Sequence, residues 1–298
     1  MKNVKISVLV VCLIAMAKMF GQTAPEVHFE TMSAETPVEE LSYEYLLAHK
    51  VFLRAKPSLK AKRLGVLDIG TPMVLREKSK YAQEINGIKS NWYRVSVGDA
   101  TGWVWGGMIA QKAFGSGADY KVKFVYGLES NTVTEAGINE TKYQLRAFKN
   151  GIQLDKVVLD SLSAFPVGIK NIGNKGLFNV EDIITLDLAD LNTGHRIGKS
   201  YIFWNNGRFA NVANLRDQET DAYAKSEYFV FPSDMQGIKS TLELKTTIID
   251  KNVTLENEKV AQHKKRTSSF YTWNGYKLIE KEHIPVISEN AIVSTLHR

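Results

Sequence analysis

Three Asn-Gly pairs, at 150–151, 206–207 and 274–275, limit what this chain can become more than any other feature. Both residues tolerate positive φ, so the pair closes a two-residue hairpin whose twist matches its strands. Each pair follows a run of apolar, aromatic or β-branched residues: Tyr143–Phe148, Tyr201–Trp204 and Phe270–Trp273. Val122–Leu128, Ile152–Leu159 and Ile183–Leu188 are further strand-like runs between turn residues. The spans Tyr201–Phe209 and Phe270–Leu278 read as one hairpin design used twice, an aromatic strand turning on Asn-Gly into an amphipathic return strand. Two copies are too few for a propeller. Residues 119–285 are therefore predicted to form an antiparallel sheet or sandwich, large enough to bury a core without disulfides. A tail follows at 286–298.

The stretch from Tyr45 to Lys112 shows the same punctuation at closer spacing. Short runs rich in Val, Ile, Leu, Trp and Tyr alternate with Gly, Pro and Asn, as in an all-β meander. Alternation along Trp92–Val97 puts Tyr93, Val95 and Val97 on one face, read as the core, and leaves Trp92 beside Arg94 and Ser96 on the wetter side. Trp103 and Trp105 share a face opposite Val104. A barrel of this size is expected to leave some indoles exposed. A Gly-rich joint at 113–119 separates it from the second half.

Four pieces of this stretch carry a resemblance: Leu53-Arg54 with Pro57 three residues on, the Gly65-Val66-Leu67 and Gly70-Thr71 region, Trp92-Tyr93-Arg94-Val95, and Thr101-Gly102-Trp103-Val104. Together they resemble the bacterial SH3 (SH3b) family, small barrels that secreted proteins use to hold cell-wall or surface ligands. The resemblance implies a binding module at residues 45–112 and says little about its ligand. The expected ligand contacts are Arg54, Trp92, Trp103 and Trp105. The second half resembles no recognised family.

The N-terminus agrees with export. Lys2 and Lys5 precede an apolar run from Ile6 to Ala17 that only Ser7 interrupts, which is the pattern of a secretory signal over residues 1–21. Small residues allow cleavage after Ala17 or after Gly21. The run is far shorter than the roughly 20 residues that cross a bilayer, so no transmembrane segment is expected. Cys12 follows Val11 rather than a small residue, which argues against a lipid anchor.

Cys12 is also the one cysteine in the sequence, and it would leave with the signal. The mature chain then has no thiol nucleophile, disulfide or cysteine metal ligand. That excludes the thiol peptidases of NlpC/P60 type that SH3b modules often accompany. The remaining histidines stand singly, without the paired spacing of a zinc peptidase. Glu181, Asp182, Asp187 and Asp190 form the richest acidic stretch, but Asp187 and Asp190 differ in strand parity and would point to opposite faces. Asp190-x-Asn192-x-Gly194 has part of the look of a calcium loop and lacks its closing carboxylate, so it reads as an Asx or Gly turn. Neither metal nor cofactor is expected.

Charge is unevenly placed. Val51–Lys112 holds 11 Lys and Arg against 4 Asp and Glu, whereas 113–298 holds 23 against 22. Lys56, Lys60, Lys62 and Arg63 form one basic cluster and Arg76, Lys78 and Lys80 another, suited to an anionic polymer. Export makes nucleic acid a poor partner. Residues 22–44 form an acidic leader, six Glu against no Lys or Arg, read mainly as a solvated spacer, with docking onto the basic barrel as the alternative. Trp204 and Trp273 beside their turns are read as cross-strand packing residues. His263–Arg266 is read as a loop or strand edge kept wet.

The sequence thus predicts an exported, all-β, non-enzymatic protein of periplasm, cell surface or extracellular space. Its SH3b-like barrel would bind cell-wall glycopeptide or another envelope polymer. Two alternatives stand beside it: a cell-wall hydrolase with a catalytic C-terminal domain, and an interaction module that holds an envelope protein.

Overall fold

The computed structural model describes residues 26–33, 35–37, 41–137, 139–159, 164–190, 193–254, 260–281 and 289–294. The expected signal at 1–21, both expected cleavage positions and Asn192 lie outside them. Every described element is a strand or a turn, apart from one 3-10 turn at Gly106–Met108. The chain is all-β, as its punctuation predicts. It divides into two compact units: one holds the described residues up to Gln111 with Tyr126–Gln144 and 158–159, the other Lys112–Val125, Leu145–Val157 and the described residues beyond 163.

In the first unit the strands are β1 (Glu26–Val27), β2 (Glu44–Tyr45), β3 (Val51–Arg54), β4 (Arg63–Leu67), β5 (Pro72–Ile85), β6 (Ile88–Val97) and β7 (Ala100–Trp105). They pair in the order β2-β5-β6-β7-β3-β4, with β1 joined in parallel to β6. Leu46, Leu53, Met73, Leu75, Tyr93, Val95 and Val104 build the core on the face the alternation predicts. A fourth Asn-Gly pair, Asn86-Gly87, makes the tight β5–β6 turn with φ of 53° and 71°. Its neighbours Ile85 and Ile88 face each other across that hairpin.

The wetter side of β6 is not wet. Trp92 and Trp105 are 2% and 4% exposed, within a second cluster with Val27, Ile88 and Leu128, flanked by Phe29 and Tyr143. This corrects the expectation from alternation: covering segments from elsewhere in the unit turn a half-buried strand into one buried on both sides. The leader supplies part of that cover. Val27 pairs with Ser90, Phe29 packs on Tyr93, and the Met32 N–H donates to the Leu75 carbonyl at 2.7 Å. Residues 26–33 belong to the fold and are not a solvated spacer.

Strands β8 (Lys112–Gly115), β9 (Val122–Val133), β10 (Asn139–Lys149) and β11 (Ile152–Leu159) form an antiparallel sheet in the order β11-β10-β9-β8. Asn150-Gly151, with φ of 53° and 75°, closes the β10–β11 hairpin as predicted.

The second unit contains a sheet of β12 (Ala164–Asn171), β13 (Asp182–Asp190), β14 (Arg196–Asn205) and β15 (Arg208–Arg216), paired in sequence order. A further sheet follows, of β16 (Gln218–Glu219), β17 (Tyr223–Val230), β18 (Leu242–Thr254), β19 (Val260–Trp273), β20 (Leu278–Glu280) and β21 (Glu289–Ser294), the last pairing with β19. Ile183, Tyr201, Phe203 and Leu215 of the one meet Phe229, Leu242 and Trp273 of the other in a common core. Edge-on ring pairs at 5.0 Å (Tyr201–Phe229) and 4.9 Å (Phe203–Trp273) tie them together. This is an antiparallel sandwich, as expected of the second half, but its two sheets begin at Ala164 rather than near residue 119, and Tyr126–Gln144 belong to the first unit.

The two related hairpins differ where they turn. Asn206-Gly207 makes a two-residue turn between paired Asn205 and Arg208. In the second, Trp273 pairs with Leu278, and the Asn274 side chain caps a four-residue loop by accepting the N–H groups of Tyr276 and Lys277 at 2.9 and 2.8 Å. Both tryptophans are core residues. His263–Arg266 lies inside β19, paired with β18 on one side and β21 on the other, which corrects its reading as a loop or edge. Lys265 and Arg266 stay exposed and His263 and Lys264 half-buried while their backbone is paired on both sides.

Candidate functional site

The first unit brings Arg54, Trp92, Trp103 and Trp105 onto three neighbouring strands. Trp92 on β6 stands opposite Trp105 on β7, and Trp103 on β7 stands opposite Arg54 on β3. Arg54, Trp92 and Trp105 line a cleft of about 290 Å³. Trp103 does not line it; it is half-buried and packs beside the other two indoles.

Each of the three is locked. The Trp105 Nε1–H donates to the carbonyls of Gln83 at 3.0 Å and Ser90 at 3.2 Å. Gly107 lies against its ring, where a Cβ would stand 2.2 Å away, and a Cβ on Gly106 would meet Ser90 Oγ at 2.2 Å and the Tyr93 ring at 2.8 Å, which explains the glycine pair after Trp105. The Trp92 backbone N–H donates to Ser79 Oγ at 3.2 Å. Arg54, 8% exposed, donates from Nη1 to the Ala61 carbonyl at 2.9 Å and so braces the loop from β3 to β4. The two indoles are thus a wall rather than a pair of free plates. What a ligand would touch is their edges, together with Phe52, Leu59 and Met108.

Sequence reasoning missed those three residues. Phe52 was within reach, because it lies two positions before Arg54 and shares its strand face. Its ring holds the Arg63 guanidinium at 3.9 Å from the centroid and that of Arg54 at 5.6 Å, a cation–π arrangement. Lys50 and His49 complete the rim, with His49 3.0 Å from Asp68. Lys56, Lys60 and Lys62 are exposed on the loop that Arg54 braces, so the first basic cluster borders the cleft. Among the described residues no carboxylate pairs with Arg54, leaving four of its five donors for other partners.

The second basic cluster is differently engaged. Arg76 donates to the Ser33 carbonyl at 2.7 Å, and Lys78 lies 2.9 Å from His28, both in the acidic leader.

A larger cleft, about 770 Å³, opens in the second unit between the β13–β14 turn and β16–β18. It gathers Asp190, His195, Asp217 and Glu219, but most charged groups lining it have partners within the protein. Arg196 pairs with Asp187, Lys225 with Glu227 at 2.8 Å, and Glu219 with Lys251 at 2.9 Å. The hydrogen bond from Lys251 holds the Glu219 carboxyl below its usual range. Asp190 Oδ1 accepts from the Thr193 N–H at 2.8 Å, the Asx turn expected there.

Residues 49–110 match the family model for the bacterial SH3 domain. The match runs from the start of β3 to the end of the 3-10 turn and so covers the first cleft. No curated protein and no solved structure matches the chain.

Proposed function

We propose, from the premise that residues 49–110 are a bacterial SH3 domain, that this protein is an exported, non-enzymatic binding protein whose barrel holds cell-wall glycopeptide or a similar envelope polymer. Bacterial SH3 domains are a family of cell-wall binding modules. The observation that carries the reading is the cleft under the basic loop, where a largely unoccupied Arg54 guanidinium stands beside an apolar wall of Phe52, Leu59, Trp92 and Trp105. Such a site suits a ligand with a carboxylate at one end and an apolar or sugar face at the other. The signal-like N-terminus supports export, and no helix among the described residues is long and apolar enough to cross a membrane.

Retention on purified insoluble wall material tests this. Trp105→Ala would open the core, so the informative variants are Leu59→Asp at the rim and Arg54→Lys, which keeps the charge and loses the fork. Each is expected to weaken retention about 10-fold. Retention equal to wild type in both would remove the cleft from the reading.

The second cleft favours one other reading, an envelope hydrolase acting through His195, Asp190, Asp217 and Glu219. The internal partners of Asp190, Asp217 and Glu219 and the lowered Glu219 carboxyl suit binding better than proton transfer. Release of soluble fragments from wall material by the purified protein would reverse that preference.

A further inference from the structure

Four turns of the second unit gather at one end of its sandwich, and three of them present apolar side chains to solvent. Phe178, in the segment before β13, is 72% exposed; Met235 and Ile238, between β17 and β18, are 100% and 47% exposed; Tyr276, between β19 and β20, is 82% exposed. The contacts among the turns show that the turns carrying these side chains are neighbours. Trp273 donates its indole N–H to the Asn179 carbonyl at 3.0 Å, and Gly275 lies against the Asn179 side chain. The Ser233 N–H donates to the Lys175 carbonyl at 3.1 Å, and Lys175 pairs with Asp234 at 3.0 Å. The Asn206 N–H donates to Glu181 at 3.3 Å, which adds the Asn206-Gly207 turn.

These turns are also braced from within. Asp234 accepts the Phe231 N–H at 2.9 Å, the Gly237 N–H donates to the Asp234 carbonyl at 2.8 Å, and Asn174 accepts the Gly176 N–H at 3.0 Å. The exposed side chains therefore project from turns whose backbone is held in place. A rigid display of this kind carries a continuing solvation cost that an ordinary monomer surface avoids.

Charge identifies what the display suits. The four turns contain Lys175, Lys239, Lys277 and Arg208 against Glu181 and Asp234. Both carboxylates have partners within the turns, whereas Lys239, Lys277 and Arg208 pair with no carboxylate among the described residues. Separate apolar prongs on turn tips, ringed by free cations, match the layered chemistry of a bilayer surface: anionic headgroups outside, hydrocarbon just beneath. A protein partner would instead need a socket for each prong.

We infer that this end of the second unit rests on an anionic lipid surface, with Phe178, Met235 and Tyr276 entering the interface and Lys239, Lys277 and Arg208 contacting headgroups. The inference is independent of the ligand in the SH3 cleft.

Co-sedimentation of the full chain with vesicles of phosphatidylcholine alone, and of phosphatidylcholine mixed with phosphatidylglycerol, tests it. Binding is expected to the mixed vesicles, weakening as salt rises. The triple variant Phe178→Ser, Met235→Ser, Tyr276→Ser is expected to bind at least about 10-fold more weakly. Lys239→Gln with Lys277→Gln should lose most of the salt dependence while retention on wall material stays unchanged. A Tyr276→Trp reporter guards against a misfolded triple variant, since its emission should shift to the blue only with the mixed vesicles. No wild-type binding to either vesicle, or equal binding by wild type and a folded triple variant, would overturn the inference. So would a soluble protein that needs the same side chains in the absence of lipid.

Discussion

Phe29 and Tyr93 hold each other at two points: the Tyr93 hydroxyl accepts the Phe29 backbone N–H at 2.9 Å, and the two rings meet edge to face at 5.6 Å. One contact satisfies a donor of the leader, and the other adds apolar area to the barrel core. Phe29→Ala is accordingly expected to lower the stability of the first unit by about 1–3 kcal/mol, less than a fully buried ring because Phe29 is half-buried. Tyr93→Phe, which strands the Phe29 N–H, should cost about 1–2 kcal/mol. Urea midpoints at unchanged slope would report both, and wild-type midpoints would mean the leader is not part of the folded unit.

Trp204 and Trp273 offer a contrast in which burial alone gives the wrong order. Trp204 is the more buried, yet its Nε1–H finds no acceptor among the described residues, whereas Trp273 donates to Asn179. Trp204→Phe removes ring volume and an unsatisfied donor together, so the two effects oppose. Trp273→Phe loses volume and a hydrogen bond. It should be more destabilising than Trp204→Phe by about 1 kcal/mol or more, measured by urea unfolding of each single variant. The reverse order would show that the Trp204 nitrogen has a partner.

Alkaline pH should unfold the second unit through Tyr201. Burial pushes its phenol up to about 12, from an ordinary value of 10. A raised folded value means that the fold favours the neutral phenol, so the contribution is fully present below pH 10. It is lost as pH climbs through about 12, first because the unfolded chain ionises more readily. Burial also raises Tyr93, Tyr126 and Tyr143 in the first unit. Phenolate absorbance followed beside circular dichroism should show these tyrosines ionising together with loss of structure. Complete ionisation with the β signal intact would contradict it.

The architecture was legible because hairpin chemistry is local. Asn150-Gly151 and Asn206-Gly207 specify their turns by what two adjacent residues tolerate, and Tyr93, Val95 and Val104 show their inward face by parity. Asn274-Gly275 failed to give the same turn because the Asn274 side chain found two N–H groups to cap. The site was half legible. Strand pairing brings Arg54 to Trp103 and Trp92 to Trp105, four residues expected to share a site, but the exposure of the indoles depends on Val27 and Leu128, each far away in the chain. No periodicity in β6 or β7 carries that information. For the same reason His263–Arg266 read as an edge, since nothing near it in sequence announces β21.

The parallel pairing of β1 with β6 also sets a sequence of events. Val27 is synthesised 63 residues ahead of Ser90, whose hydroxyl donates to its carbonyl. That separation exceeds those within β3–β7, so the barrel strands are expected to pair first and the segment at 26–33 to latch on afterwards. Loss of the segment at 26–33 would therefore remove part of the cover over Trp92 and Trp105 without breaking any pairing among β3–β7.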